Sequence, residues 1–225
     1  MGYKMNDLNQ LILNFDYEQN FKDQDFYVSK NNEFAFKLLN SWPKWEKNFV
    51  NLIGEKFSGK THLVNIFLHK FKGIKIEANE ITNEFLKKVK IFENVVIENF
   101  NDKIDESLFF TLLNIIDQDN KYLILTSKKP IVEHFFELDD LNSRSKNFLL
   151  SNIEKPGDDL MFALILKNLS DRQISIDKKL IDFIIKRIDR SYGKIFDFIY
   201  KIDKISLKRK KPIDFKTIKE VLENN

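Results

Sequence analysis

The sequence predicts an α/β fold: a parallel sheet with a phosphate-binding loop at one strand end, followed by an all-helical C-terminal domain. Three observations predict it. Residues 54–61, Gly54-Glu55-Lys56-Phe57-Ser58-Gly59-Lys60-Thr61, complete the pattern G-x-x-x-x-G-K-[ST]. Short apolar runs then alternate with amphipathic stretches as far as residue 153. From Pro156 onward the strand-like runs stop and only helical periodicity remains.

The loop is supported by its flanks. Phe49-Val50-Asn51-Leu52-Ile53 has the apolar density of a buried parallel strand and ends at Gly54. His62 to Leu68 continues without Gly or Pro, with apolar residues near helical spacing. Such a turn aims backbone N–H groups and the positive end of a helix dipole at phosphates. Lys60 then reaches the β/γ-phosphates and the Thr61 hydroxyl ligates Mg²⁺. The expected nucleotide contacts here are Gly54, Lys56, Phe57, Ser58, Gly59, Lys60 and Thr61, with His62 at the helix start.

The remaining elements follow in order. Ile74–Glu77 reads as a strand and residues 78–89 as a helix with Ile81, Phe85 and Leu86 on one face. Asn94–Glu98 reads as a buried strand ending in a carboxylate. Residues 105–117 are helical, Tyr122–Thr126 is a buried strand closed by Lys128-Lys129-Pro130, and Asn147–Leu150 is a fifth strand. Helices are expected over 157–170, 178–188, 193–207 and 214–223, with Asp177 and Asp214 as N-caps. Trp42 and Trp45 read as packing residues before the first strand.

Composition narrows the chemistry. The 225 residues contain no cysteine, which excludes disulfides, thiolate zinc sites and a thiol nucleophile. Three histidines without an H-E-x-x-H pattern argue against a catalytic metal cage. A net charge of +3 gives no case for a general nucleic-acid glove. No apolar run reaches membrane-spanning length and no signal-peptide pattern opens the chain, so a cytoplasmic protein without membrane association is expected. The basic run Lys208-Arg209-Lys210-Lys211 reads as a solvated loop, with DNA contact as the alternative.

Glu98, at the end of its strand, occupies the place of the acid that holds Mg²⁺ through water in a phosphate-loop ATPase. Asn99 follows, where an active ATPase places the carboxylate that polarises water. An amide cannot accept that proton, so nucleotide binding with weak intrinsic hydrolysis is expected.

At these residues the sequence resembles the DnaA/Hda family of AAA+ proteins. Gly59-Lys60-Thr61-His62-Leu63 is that family's habitual loop, and Tyr122–Ser127 with Lys128-Lys129-Pro130 is similar to its sensor-1 segment. Leu141-Asn142-Ser143-Arg144 resembles its arginine-finger box, and Asp25-Phe26-Tyr27-Val28 resembles the segment that lies against adenine. Ile188-Asp189-Arg190 resembles the approach to sensor 2.

The resemblance implies sheet order 5-1-4-3-2, a helical lid, and ADP or ATP with Mg²⁺ as cofactor. It assigns base contacts to Tyr27 and Val28, phosphate sensing to Thr126, and a finger acting on a neighbour's ATP to Arg144. A surface ion pair with Asp139 or Asp140 is the alternative for Arg144. Two departures stand out. The sensor-2 arginine falls on Gly193, leaving Lys194 beside it as a point charge, and Lys128 stands where the family often has Asp.

Gln10-Leu11-Ile12-Leu13-Asn14-Phe15 resembles the peptide by which partners dock on the sliding clamp of DNA polymerase III. Leu13 and Phe15 would fill an apolar pocket while Gln10 fixes one end by hydrogen bonds, with Leu11 part of the same peptide. An edge strand or a hydrophobic staple is the alternative. The expected organisation is a clamp-binding segment over 1–20, a nucleotide-binding domain over 21–153 and a lid over 154–225, without the DNA-reading domain of an initiator. Sequence-specific DNA binding is therefore not expected; DnaA is the expected partner, and a homodimer is compatible. The implied function is a regulator that stimulates hydrolysis of DnaA-bound ATP and prevents re-initiation. The rivals are a self-sufficient ATPase such as a helicase loader or a DnaA-like initiation ATPase, and a small nucleotide kinase.

Overall fold

Every second residue of the central strands serves a different apolar layer, and this alternation builds the domain. The computed structural model describes residues 26–209 and 213–223. Gln10, Leu11, Leu13, Phe15 and the rest of the 1–20 segment lie outside these residues, as do Lys210 and Lys211. The strands are β1 (Phe49–Ile53), β2 (Ile74–Glu77), β3 (Asn94–Phe100), β4 (Tyr122–Ser127) and β5 (Leu149–Asn152). All described pairings are parallel, in the order β2-β3-β4-β1-β5, the expected order read from the other edge.

In β3, Val95 and Ile97 face one layer and Val96 the other; in β4, Leu123 and Leu125 oppose Ile124 in the same way. This is the period of 2 acting on strands covered on both faces. One layer is built on α3 (Asn83–Val89) and α4 (Glu106–Gln118), whose Phe85, Leu86, Phe109 and Leu112 are buried there. The other is built on α1 (Glu33–Asn40) and α2 (Lys60–Phe71), through Ala35, Leu39, Leu63, Val64 and Phe67. Trp42 and Trp45 pack in this second layer, Trp42 on Phe71 and Trp45 on Phe67, and neither forms an open stacking platform.

The lid has its own core. Helices α6 (Asp158–Asp171), α7 (Lys178–Ile185), α8 (Tyr192–Arg209) and α9 (Phe215–Glu223) bury Met161, Ile165, Ile181, Phe198 and Ile218 together. Asp177 caps α7 by accepting from Lys179 N–H at 2.8 Å, and Asp214 caps α9 by accepting from Thr217 N–H at 2.8 Å. Leu160 and Tyr192 are buried in the α1/α2 layer instead, and so tie the C-terminal helices to the α/β domain.

The helix expected over 178–188 ends at Ile185 and the one over 193–207 runs Tyr192–Arg209, and three further departures have a local cause. The fifth strand starts at Leu149 rather than Asn147, because Asn147 and Phe148 close the helix α5 (Asp139–Ser145) by donating to Arg144 and Ser145 carbonyls. The expected helix over 78–89 is a turn of 3₁₀ helix at 78–80 followed by α3, with Thr82 extended and accepting from Phe85 N–H at 3.2 Å. A Thr side chain that captures its own backbone restarts the helix. β3 runs two residues past Glu98 and breaks register between Ile97 and Phe100, where Asn99 takes a positive φ of 57°.

Candidate functional site

The phosphate loop joins β1 to α2 and has the geometry its glycines permit. A Cβ at Gly54 would lie 2.6 Å from Ser58 Oγ, so a side chain there would displace the loop. Gly59 has φ 91°, a left-handed conformation that favours glycine, and directly precedes the first residue of α2. Gly54 N–H donates to Ser127 O at 3.1 Å, which fastens the loop to the end of β4.

Lys60 is buried and folds back over the loop, donating from Nζ to Gly54 O at 2.7 Å and Glu55 O at 2.8 Å. Burial first, and then repulsion by Lys128, lowers its ammonium from 10.5 to about 8; Glu55 and Glu98 act in the opposite direction. The cradle is thus electropositive and holds an ammonium whose carbonyl partners a phosphate can replace. Thr61 follows at an exposed position on the first turn of α2.

Glu98 is 3% exposed at the end of β3. Its Oε2 lies 2.9 Å from Lys75 Nζ, while its Oε1 is buried without a hydrogen-bond partner among the described residues. An orphaned carboxylate oxygen beside a phosphate cradle fits the water shell of a divalent cation. Thr61 and Glu98 are accordingly the residues that would hold Mg²⁺. Bound there, the ion would neutralise phosphate charge.

Asn99 turns elsewhere. Its backbone N–H donates to Thr126 Oγ1 at 3.0 Å, and its side-chain amide donates to Glu77 Oε2 at 2.8 Å on the outer strand β2. Thr126 is buried and held between the two strands by this contact. The turn after β4 rests on Asn51, a fully buried amide of β1. Asn51 donates to Leu125 O and Ser127 Oγ and accepts from Ile131 N–H at 2.8 Å, so its capacity is met by the β4 end.

The lid reaches the loop through two contacts. Glu55 accepts from Tyr192 N–H and from the Ser191 hydroxyl, each at 2.9 Å, and so caps α8. Phe57, with φ 69°, stacks on Phe196 at 4.4 Å between ring centroids. Burial, then the Glu55 charge, raises the Tyr192 phenol, whose hydroxyl donates to Glu154 O at 3.1 Å. Lys194 is half-buried in the first turn of α8, and Lys56 lies over the Phe57 ring. A Cβ at Gly193 would meet nothing closer than Ser191 Oγ at 3.5 Å, so a side chain is admissible there.

In the segment expected to lie against adenine, Phe26 makes ring contacts that the base-contact assignment to Tyr27 and Val28 did not include. Phe26 meets His62 edge-on at 5.4 Å, stacks on Phe36 at 5.9 Å, and would lie 3.2 Å from a Cβ at Gly59. Asn32 fixes this segment by donating to Tyr27 O and accepting from Ser29 N–H. Tyr27 and Val28 are exposed, and Tyr27 lines a cavity of about 420 Å³ with lid residues such as Phe162, Asp182 and Ile185. No loop residue lines that cavity, so it is not the phosphate cradle. Asn51, Glu55 and Asn32 could not be found from sequence, because their partners lie 76, 137 and 5 residues away and carry no spacing signal.

Arg144 lies on α5 and donates to Asp117 Oδ2 of α4 at 2.8 Å, with its guanidinium 5.3 Å from the Phe110 ring. The carboxylate expected as an alternative partner, Asp139 or Asp140, is not the one it uses.

No protein-family model matches the chain. It is 27% identical over 192 residues to the chromosomal replication initiator protein DnaA of Borrelia turicatae, across 73% of this chain and 40% of that protein. The fold superposes on domain III of the DnaA initiation protein of Thermotoga maritima with a TM-score of 0.74, covering 92% of this chain and 97% of that domain at 18% identity. The chain is similar in sequence to DnaA and has the fold of DnaA domain III. This DnaA-like domain also superposes on AMPPCP-bound DnaA from Aquifex aeolicus, with a TM-score of 0.66 over 83% of this chain and 67% of that one, at 22% identity. The chain spans 40% of the length of the Borrelia relative it matches. Among the described residues, no helix is long and apolar enough to cross a membrane.

Proposed function

We propose that this DnaA-like domain binds an adenine nucleotide, ADP in its working state, with Mg²⁺ at Thr61 and Glu98, and regulates replication initiation as an Hda-like inactivator. The observation that carries this reading is the pairing of an intact phosphate cradle with Asn99. The cradle offers Lys60 and the α2 N-terminus to phosphate, while the residue after Glu98 is an amide hydrogen-bonded to Glu77. That combination favours holding nucleotide over cleaving it. The likeness to DnaA, and an AMPPCP-bound DnaA among the structural neighbours, support the choice of ligand.

In this reading Arg144 leaves Asp117 and reaches the ATP of an adjacent DnaA subunit, where it stabilises charge developing on the γ-phosphate. Docking on the polymerase III sliding clamp through Gln10, Leu11, Leu13 and Phe15 would hold the protein at replicated DNA.

The test is turnover in a defined mixture. The purified chain alone should release little phosphate from ATP, and DnaA with clamp-loaded DNA should hydrolyse faster when it is added. Arg144→Ala should remove that stimulation while leaving ADP affinity intact. Steady hydrolysis by the isolated chain, with no effect on DnaA, would favour a self-sufficient ATPase such as a helicase loader and overturn the inactivator reading. A clamp pull-down with Gln10→Ala and Leu11→Ala, scored for unchanged retention, would remove the tether.

A further inference from the structure

Lys75 is the charged group at this site that the phosphate-loop pattern does not explain. It lies on β2 in register with Val96, on the sheet face that also carries Glu98 two residues further along β3. Its ammonium bridges two parts of the site. It lies 2.9 Å from Glu98 Oε2 and donates to Asn65 Oδ1 at 2.8 Å. Asn65 is four residues after Thr61 on α2, hence on the same helix face. One oxygen of the acid is therefore already matched by a fixed cation, held in place from the phosphate-loop helix.

A buried carboxylate near a polyphosphate repels it, and the repulsion is strong where water is excluded. A divalent ion ordinarily cancels that term. Here Lys75 cancels a full unit of it at contact distance, and Lys60 and Lys128 face the same space, with Lys128 close enough to depress the Lys60 ammonium. Three ammonium groups against two carboxylates, Glu55 and Glu98, leave a positive cradle before any metal enters.

We propose that Lys75 is a specificity-determining residue of the nucleotide site: it acts as a built-in counter-ion to Glu98, so that a nucleoside diphosphate binds with little dependence on Mg²⁺. This rests on the nucleotide-binding reading above.

The experiment titrates the full chain with a fluorescent ADP in Mg²⁺ and in excess EDTA, and reads the ratio of the two dissociation constants. For the natural protein the ratio should be no more than about tenfold. In Lys75→Gln it should rise by more than about fivefold over that value, because Glu98 is then uncompensated, and Lys75→Arg should keep the natural ratio. The double variant Lys75→Gln with Glu98→Gln should restore a low ratio, which a merely structural Lys75 would not produce.

A natural ratio above about tenfold overturns the proposal without recourse to any variant, and so does a Lys75→Gln ratio within about fivefold of the natural one. Absence of ADP binding in both buffers would instead overturn the nucleotide reading on which the proposal rests.

Discussion

Glu55, in the phosphate loop, caps the lid helix that starts at Tyr192: one carboxylate oxygen accepts the Tyr192 N–H and the other the Ser191 hydroxyl, both at 2.9 Å. The residue sits at a variable position of the loop pattern, yet it joins the two domains directly. With the Phe57–Phe196 stack it joins the loop to the start of α8 at two points.

Glu55→Ala should therefore loosen the lid without removing the phosphate cradle. The lost cap is worth about 1 kcal/mol. Amide exchange at Tyr192 and Gly193 should accelerate, and proteolysis in the linker before α8 should quicken. Unchanged exchange at those amides would show that other contacts seat the lid.

Lys60 makes nucleotide affinity depend on pH in a stated direction. Its free-state value of about 8 lies below the ordinary 10.5, so above pH 8 the empty site loses the charge that phosphate needs. A bound phosphate favours the ammonium, so binding must then take up a proton. Affinity should be flat from pH 7 to 8 and fall by about tenfold per pH unit above it. Calorimetry in buffers of different ionisation enthalpy measures the uptake. Folding shows the opposite sign: a lowered ammonium weakens the fold below pH 8, and this penalty fades as pH rises from 8 towards 10.5.

Gly193→Arg should install a lid guanidinium. The site admits a side chain. A bidentate group there should tighten ATP by about tenfold with ADP little changed. Equal effects on the two nucleotides would place position 193 away from the γ-phosphate.

Asn51→Leu should destabilise the protein more than a conservative volume change suggests. It strands the Ile131 N–H in a fully buried setting, at about 1–3 kcal/mol, while the Ser127 hydroxyl keeps its bond to Lys129 O. Thermal unfolding should shift down by about 2–4 °C per kcal/mol in a chain of this length.

The strands and lid helices were legible because their signals are local. Val95-Val96-Ile97 and Leu123-Ile124-Leu125 are apolar on both sheet faces, and Asp177 and Asp214 announce their helices three residues or fewer ahead of the amides they cap. The phosphate loop was legible for the same reason. What sequence could not supply was the choice of partner where several carboxylates compete. Arg144 takes Asp117 across from α4 and not its neighbours Asp139 and Asp140, and Lys75 finds Glu98 across a strand pair. The fifth strand slipped by two residues because Phe148 is apolar for a different reason: it packs on Phe49 at 5.1 Å while its backbone still closes α5.

Asn99 has a consequence for attempts to raise hydrolysis in this domain by substitution. Its side chain is committed to Glu77 on β2, the strand at the far edge of the sheet from β5 and separated from β1 by β3 and β4. Asn99→Asp would place a second carboxylate against Glu77, and the two would repel each other instead of addressing water at the phosphate loop. In the reading proposed above, weak hydrolysis would be a matter of aim as well as of acidity. A revertant would need to release the left-handed turn at residue 99 as well as change its functional group, so a single substitution should leave ATP turnover where it was.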